Sequence, residues 1–154
     1  MIEIDIPNYR RLKIEHVVFD VNGTLAVDGK LLDGVAPLIQ ELQKQVTVHL
    51  VTADTHGQQA EIDRQLGQKA TIISGGAADK SNYIRQRKLQ NVAAIGNGAN
   101  DTMMFGVSQL RIAVIGGEGA YAKLVADADV VVTDIRDALN LLLQPNRLRA
   151  TLRR

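Results

Sequence analysis

Six short and almost entirely apolar runs recur along this chain of 154 residues, and helix-like segments separate them. The runs are rich in Val, Ile and Ala and lack the polar alternation of a strand with one wet face, so they are typical of parallel strands covered on both sides. This order predicts an α/β fold with three layers, in which a doubly wound, mainly parallel sheet lies between two layers of helices. Strands are predicted at 16–20, 46–52, 70–74, 92–96, 111–115 and 130–132, and helices at 35–45, 57–66, 79–88, 101–107, 120–126 and 134–143.

The two ends of the chain fall outside this alternation. Residues 1–14 alternate apolar and polar side chains, which predicts an extra extended element, either a hairpin or an edge strand. Residues 144–154 carry Arg147, Arg149, Arg153 and Arg154. They are interpreted as a basic tail or the end of a final helix, with a partner-docking arm as the alternative. Because no linker or repeat is evident, residues 1–154 are predicted to form a single domain.

The amino-acid composition limits the kinds of molecule that the protein is expected to bind. The net charge of +1 and the lack of Trp argue against binding to nucleic acid or to an anionic membrane. No apolar run approaches the roughly 18 residues of a membrane span, and the acidic, alternating amino terminus does not look like a leader peptide. The chain has no Cys, which excludes disulfides and thiol catalysis. We therefore expect a cytoplasmic protein.

Asp20 ends the first predicted strand of the sheet, in the run Val-Val-Phe-Asp-Val-Asn-Gly-Thr-Leu. Ligands bind at the carboxyl ends of strands in α/β sheets, so Asp20 is predicted at the mouth of a crevice. A carboxylate in that place can attack phosphorus and form an aspartyl-phosphate. Taken alone, Asp20 is better explained as a cap of the following turn.

Three later segments supply the partners that phosphoryl transfer requires. Thr52 ends the second strand and can donate to a phosphate oxygen, and Lys80 near a helix start can neutralise charge. After the strand at 92–96, Asn97 and Asp101 offer oxygen ligands of the kind that Mg²⁺ accepts. Each of these residues has an ordinary structural explanation by itself. Their order on successive strand–helix units is what predicts a phosphoryl-transfer site.

These segments resemble the haloacid dehalogenase superfamily over about residues 15–143. The superfamily motif Asp-x-Asp-Gly-Thr-Leu is similar to residues 20–25 with one change, and Gly-Asp-x-x-Asn-Asp is similar to residues 96–101 with one change. Thr52 and Lys80 stand where the second and third motifs place Thr and Lys. Within the superfamily, the chain looks most like a phosphorylation domain of P-type ATPases that stands free of the membrane part. A flavodoxin-like or receiver-like module would share the sheet type, but it would not account for Thr52, Lys80 and Asp101 together.

The resemblance implies a set of site residues. It implies catalytic roles for Asp20, Asn22, Thr52 and Lys80, metal binding by Asp20, Asn22, Asn97 and Asp101, and substrate binding by Gly23, Thr52, Ala53, Lys80 and Asn100. The cofactor would be Mg²⁺. The loop 26–34 resembles the small flap hairpin of the family, and no segment has room for a cap domain. An open site of this kind implies a large phosphorylated substrate, such as a macromolecule, or closure by a neighbouring subunit in a homo-oligomer.

Both changes from the motifs replace Asp by Asn. Asn22 stands where superfamily phosphatases carry the acid/base Asp, a role that contributes about 10²–10⁴-fold in rate. Asn97 stands where they carry the main metal-binding carboxylate. The changes imply a slow phosphatase that works best on good leaving groups such as acyl phosphates or anhydrides. The alternative is a module that binds Mg²⁺ and phosphate for regulation or interaction without turnover.

Overall fold

The computed structural model describes residues 1–54 and 57–154. Every predicted strand and helix of the central alternation is present, and each boundary lies within two residues of its predicted place. The strands are β1 (Ile2–Ile6), β2 (Arg10–Ile14), β3 (His16–Asp20), β4 (Ala26–Val27), β5 (Lys30–Leu31), β6 (Thr47–Thr52), β7 (Thr71–Ile72), β8 (Val92–Gly96), β9 (Leu110–Val114) and β10 (Val130–Val132). The helices are α1 (Val35–Gln43), α2 (Gln59–Leu66), α3 (Asp79–Gln86), α4 (Thr102–Gly106), α5 (Ala122–Asp127), α6 (Ile135–Leu143) and α7 (Pro145–Leu152), and a 3₁₀ turn covers Ala99–Asp101.

The central sheet has six strands in the order β10-β9-β8-β3-β6-β7. All neighbouring pairs in it are parallel, which confirms the predicted fold class. The chain runs from β3 outward to β6 and β7, then crosses back to β8 on the other side of β3. The strand order therefore reverses between β3 and β8, and such a switch point is where α/β sheets bind ligands.

Helices cover both faces of the sheet. On one face, α1, α2 and α6 pack over Phe19, Leu50 and Ile95, and α1 contributes Val35 and Ile39 from one side of the helix. The opposite face is a smaller apolar cluster under α3, α4 and α5, built around Val18, Ile84, Phe105 and Leu124. Because strands such as β8 are buried on both faces, a continuous apolar run is the pattern that fits them.

Residues 2–14 form an antiparallel hairpin of their own, not an edge strand of the central sheet. Its alternation buries Ile2, Ile4, Ile6, Leu12 and Ile14 in the larger core. Helix α7 packs on β1, and Arg149 Nε donates to the carbonyl of Asp5 at 2.9 Å. Arg147 and Arg149 thus belong to a helix that packs on the amino-terminal hairpin, while Arg153 and Arg154 follow its end.

Local geometry explains why β7 and α3 are shorter than predicted. Strand β7 is confined to Thr71–Ile72 because the chain turns at Gly75, whose φ is +90°, and Ser74 donates to Asp79 at the start of α3. Helix α3 ends at Gln86 because Lys88 adopts a left-handed backbone with φ of +52°. No helix among the described residues is long and apolar enough to cross a bilayer.

Candidate active site

Asp20 is the last residue of β3, and its side chain lies at the floor of a cleft at the carboxyl end of the sheet. The ammonium of Lys80, from α3, donates a hydrogen bond to Oδ1 of Asp20. The hydroxyl of Thr24 lies 3.0 Å from Oδ2 of the same carboxylate. Asp20 is 5% exposed, so one edge of a nearly buried carboxylate faces the cleft.

Lys80 joins Asp20 to Asp101. Its ammonium lies 2.5 Å from Oδ1 of Asp101, and both Lys80 and Asp101 are fully buried. Oδ2 of Asp101 accepts the backbone N–H groups of Asn97 at 3.0 Å and Gly98 at 2.9 Å. Asp101 therefore fixes the loop after β8. One lysine stands between two carboxylates, which leaves this cluster with a net charge of −1 when all three groups are ionised.

The burial of this cluster shifts the pKa of its members. Burial raises the pKa of Asp20 from 3.8 to about 7, and repulsion from Asp101 adds to the rise while Lys80 opposes it. Burial by itself would lower the pKa of Lys80, but attraction to Asp20 and Asp101 raises it above its ordinary value. A carboxyl group held this far from its usual pKa at a ligand-binding edge is a marker of a functional site.

Asn22 and Thr52 meet on the other side of Asp20. Nδ2 of Asn22 donates to Oγ1 of Thr52 at 3.1 Å, and the backbone N–H of Asp54 donates to the same oxygen at 3.0 Å. A hydroxyl that accepts two hydrogen bonds must direct its own proton elsewhere. The hydroxyl of Thr52 is therefore free to donate its proton to a third group. The residue itself is fully buried.

Asn97 is held from four directions in the loop after β8. Its Nδ2 donates to the carbonyl of Gly119 at 3.1 Å, and its carbonyl accepts the N–H of Tyr121 at 2.8 Å. Its Oδ1 lies 3.2 Å from the Thr24 hydroxyl, and its own N–H donates to Asp101. Gly23 makes room for this packing. Its φ is +81°, and a Cβ there would lie 2.4 Å from Nδ2 of Asn97.

The cleft itself has a volume of about 190 Å³. Five of the predicted site residues line it, together with Gly98 and Glu118: Asp20, Asn22, Ala53, Asn97 and Asn100. Three further predicted site residues, Thr52, Lys80 and Asp101, lie fully buried beneath this lining. Gly23 instead lines a neighbouring, mostly apolar slot of about 300 Å³ between the loop after β3 and the start of α6.

Two residues of this site were not predicted. The Thr24 hydroxyl lies within hydrogen-bond distance of both Asp20 and Asn97, and its place within the Asp20–Leu25 motif was a signal that could have identified it. Glu118 lines the cleft from the loop after β9. It could have been found by extending to β9 the rule that polar residues after strand ends face the ligand.

The donor atoms of the cleft are of the type that Mg²⁺ prefers. Asp20, Asn22, Asn97 and Glu118 line the cleft, and all of them carry oxygen atoms of the hard type. The described residues contain no group of three or more His, Cys, Asp or Glu side chains arranged to hold a metal ion. The cleft therefore fits a Mg²⁺ ion that keeps several waters, and it does not resemble a dedicated cage.

Comparison with solved structures identifies the class of fold. A HAD family hydrolase candidate from Streptomyces avermitilis is 21% identical with a TM-score of 0.69, over 86% of this chain and 87% of that one. The cobalt-bound deoxy-D-mannose-octulosonate 8-phosphate phosphatase of Haemophilus influenzae is 18% identical with a TM-score of 0.70, over 85% and 88% of the two chains. A related phosphatase of Moraxella catarrhalis, 3-deoxy-D-manno-octulosonate 8-phosphate phosphatase in complex with magnesium, phosphate and KDO, is 18% identical with a TM-score of 0.65, over 91% and 94%. The chain has the fold of the haloacid dehalogenase superfamily, so the resemblance seen in the motifs is confirmed at the level of the fold.

Sequence comparison adds a nearer relative. The chain belongs to the same family as an uncharacterized protein of Methanocaldococcus jannaschii, with 52% identity over 64 residues that cover 42% of this chain and 69% of the archaeal protein. No protein-family model matches the chain. The likeness to P-type ATPase phosphorylation domains stays a prediction.

Proposed function

We propose that the protein is a Mg²⁺-dependent phosphohydrolase that acts on phosphate esters or anhydrides through an aspartyl-phosphate on Asp20. The observation that carries this proposal is the position of the Asp20 carboxylate. It lies at the floor of the cleft, next to the point between β3 and β8 where the strand order reverses, and it forms an ion pair with the buried Lys80. The phosphatases that share the fold support it, including one in complex with magnesium and phosphate.

The reaction would proceed in two displacements at phosphorus. An oxygen of Asp20 forms a bond to phosphorus while the bond from phosphorus to the leaving oxygen breaks. Water then forms a bond to the same phosphorus, the bond to Asp20 breaks, and inorganic phosphate leaves. The proton of the water goes to solvent, and the Asp20 carboxylate is restored for the next cycle.

The residues around Asp20 would stabilise charge and hold the phosphoryl group. Lys80 offsets the charge of Asp20 and Asp101, so a phosphate anion can approach a carboxylate. The proton of Thr52 is directed away from Asn22 and is available to a phosphoryl oxygen. Ala53 and Asn100, which line the cleft, would complete the phosphate contacts. A magnesium ion held by Asp20, Asn22 and Asn97 would add positive charge beside the phosphoryl oxygens.

Asn22 limits the rate of this chemistry. An amide cannot give a proton to the leaving oxygen or take one from water, and its Nδ2 is used to orient Thr52. Substrates whose leaving group departs as a stable anion need this assistance least. We therefore infer that acyl phosphates and nucleotide anhydrides are turned over faster than simple esters.

The open cleft suggests the size of the substrate. Between β3 and α1 the chain makes only the short β4–β5 hairpin, and α2 and β7 are the described elements between Thr52 and α3. We infer a single domain without a cap. Its substrate would then be large, such as a phosphoprotein, or a second copy of the chain would close the entrance.

The proposal is tested by phosphate release from acetyl phosphate and from p-nitrophenyl phosphate, with Mg²⁺ or with EDTA. We expect Mg²⁺-dependent release by the wild-type protein, faster with acetyl phosphate, and only the background rate with the matched Asp20→Asn variant. A wild-type rate equal to that of Asp20→Asn on both substrates would reject an enzyme. It would favour the second candidate, a Mg²⁺ and phosphate-binding module, which the amides at positions 22 and 97 motivate.

A further inference from the structure

A second cavity, of about 380 Å³, lies at the amino end of the central sheet, which is the end away from Asp20. It is formed by the turn between β1 and β2, the loop before β10, the start of β9 and the end of α7. We call it the amino-end pocket. Its charged and aromatic lining consists of Tyr9, Arg111, Asp129, Arg153 and Arg154. Of the described residues that line this pocket, none also lines the cleft at Asp20.

The carboxylate of the amino-end pocket is already used by the protein itself. Oδ1 of Asp129 accepts hydrogen bonds from Nη2 of Arg111 at 2.8 Å and from the hydroxyl of Tyr9 at 3.3 Å. Oδ2 accepts from Nε and from the backbone N–H of Arg111, at 3.0 and 2.9 Å. An ionised carboxylate has about four acceptor sites. Asp129 therefore has no acceptor site left to offer to a further arginine.

Arginine side chains are in excess at this pocket. Arg10 lies 3.2 Å from Asp129, yet its Nε and Nη2 are buried and make no hydrogen bond with any described residue. The side chains of Arg153 and Arg154 form no ion pair or hydrogen bond within the described part of the chain, and both residues are exposed. Besides Asp129, the carboxylate of Asp127 also attracts Arg111. The arginines in and beside the pocket therefore outnumber these carboxylates, and the excess charge is positive.

Arg154 is held in place by contacts that leave its side-chain donors free. Its guanidinium lies over the ring of Tyr9, 4.5 Å from the ring centroid, and the guanidinium of Arg10 lies over the same ring at 4.8 Å. The backbone N–H of Arg154 donates to the carbonyl of Pro7 at 3.3 Å, and its main-chain oxygen accepts Nδ2 of Asn8 at 2.9 Å. A ring contact uses the face of a guanidinium and leaves the N–H groups at its edge available. Arg154 is therefore positioned as a donor to an anion.

We propose that the amino-end pocket binds an anion of the phosphate class with at least two negative charges, such as pyrophosphate. Arg153 and Arg154 donate to its oxygens, since the guanidinium fork matches the geometry of phosphate. Arg111, directly beside them, adds positive charge. This site binds its ligand without reaction, because the carboxylate of Asp129 is fully engaged by other groups. The proposal goes beyond the chemistry at Asp20 and does not depend on it.

Titration of the isotope-labelled protein with sodium pyrophosphate in metal-free buffer, followed by amide NMR, tests the proposal. We expect saturable shifts at Tyr9, Arg111 and Thr151, which line the amino-end pocket. In Arg153→Gln the dissociation constant should rise about tenfold, because a hydrogen bond between charged groups is lost at a site open to solvent. Arg147→Gln is the matched control, since Arg147 is an exposed arginine of α7 outside the lining. It should change the constant by about twofold at most, because salt screens distant charges.

A short peptide that carries phosphoserine, titrated in the same way, distinguishes a free anion from a phosphate borne by another protein. Saturable shifts at the pocket with either probe support the site, and the tighter probe identifies the source. Unchanged affinity in both Arg153→Gln and Arg154→Gln, at an unchanged urea midpoint, would overturn the proposal. Shifts confined to the cleft at Asp20 would overturn it too and would leave the proposed function standing. Binding at the pocket by a protein that releases no phosphate from acetyl phosphate would reject the proposed function alone.

Discussion

Two ionic clusters lie at opposite ends of the central sheet, and they are built in opposite ways. At the carboxyl end, the single cation of Lys80 is shared by the carboxylates of Asp20 and Asp101. At the amino end, the single carboxylate of Asp129 is shared by Arg111 and Arg10. Arg111 makes a two-pronged contact at 2.8 and 3.0 Å, and Arg10 lies at 3.2 Å.

The two aspartates respond with opposite shifts of pKa. Burial favours the neutral acid in both. At Asp20 burial prevails, with help from Asp101, and the pKa rises to about 7. At Asp129 the hydrogen bonds and charge of Arg111 outweigh burial, and the pKa falls below its ordinary value. Excess cation therefore favours the ionised carboxylate at Asp129, and excess anion favours the protonated carboxyl group at Asp20.

Removing the cation of each cluster is the most direct test of the difference between them. Lys80→Met leaves two buried carboxylates without a counter-charge and should lower the free energy of unfolding by about 3–5 kcal/mol. Arg111→Met should lower it by about 1–3 kcal/mol, because Arg10 and the hydroxyl of Tyr9 still contact Asp129. Urea denaturation at pH 7 in EDTA measures both. Equal losses would mean that the excess of anions at Lys80 has no energetic weight.

The parts of this site that follow strand ends could be predicted from the sequence. Asp20, Thr52 and the loop at Asn97 each come directly after an apolar run, and parallel strands bring such positions to one edge. The depth of Lys80 could not be predicted, since it depends on how α3 packs against the sheet. Glu118 was missed because its place depends on hydrogen bonds to Asn97 across 22 and 24 positions of chain. The Arg111–Asp129 cluster was missed for a similar reason, since its charges come from elements that are distant in sequence.

Adding negative charge to the cleft would increase the difference between its cluster and the Arg111–Asp129 cluster. Asn22→Asp together with Asn97→Asp should raise the kcat for p-nitrophenyl phosphate about 10²-fold, because a proton donor then faces the leaving oxygen. Acetyl phosphate should gain much less, since its leaving group needs little help. Without Mg²⁺ the same double variant should unfold at lower urea, because like charges are brought together.

Steady-state rates with both substrates, and a Mg²⁺ titration of the folded variant, check this expectation. Asn22→Gln serves as the control, since it alters the side chain without adding a carboxylate. If the double variant folds and binds Mg²⁺ but hydrolyses the ester no faster than the wild type, the roles assigned to positions 22 and 97 are wrong.

The smallest expected difference between the two clusters is in how the stability of the protein depends on pH. The pKa of Asp20 is raised from 3.8 to about 7, so between these values the folded protein holds a proton that the unfolded chain has released. Stability from this group is therefore present at low pH and is lost as the pH rises from about 4 to about 7, with a slope of at most about 1.4 kcal/mol per pH unit. Asp129 has a lowered pKa, so its contribution is present above pH 4 and is lost as the pH falls.

Urea unfolding from pH 4 to pH 8 in EDTA, for wild type, Asp20→Asn and Asp129→Asn, separates the two effects. Relative to Asp20→Asn, the wild type should lose stability as the pH rises. Relative to Asp129→Asn, it should gain stability as the pH rises from the most acidic end of the series. Mg²⁺ should flatten the first profile, because a bound cation favours ionised Asp20. Parallel curves for wild type and Asp20→Asn would mean that Lys80 keeps Asp20 ionised throughout, as Arg111 keeps Asp129 ionised, and the two aspartates would then not differ in their protonation.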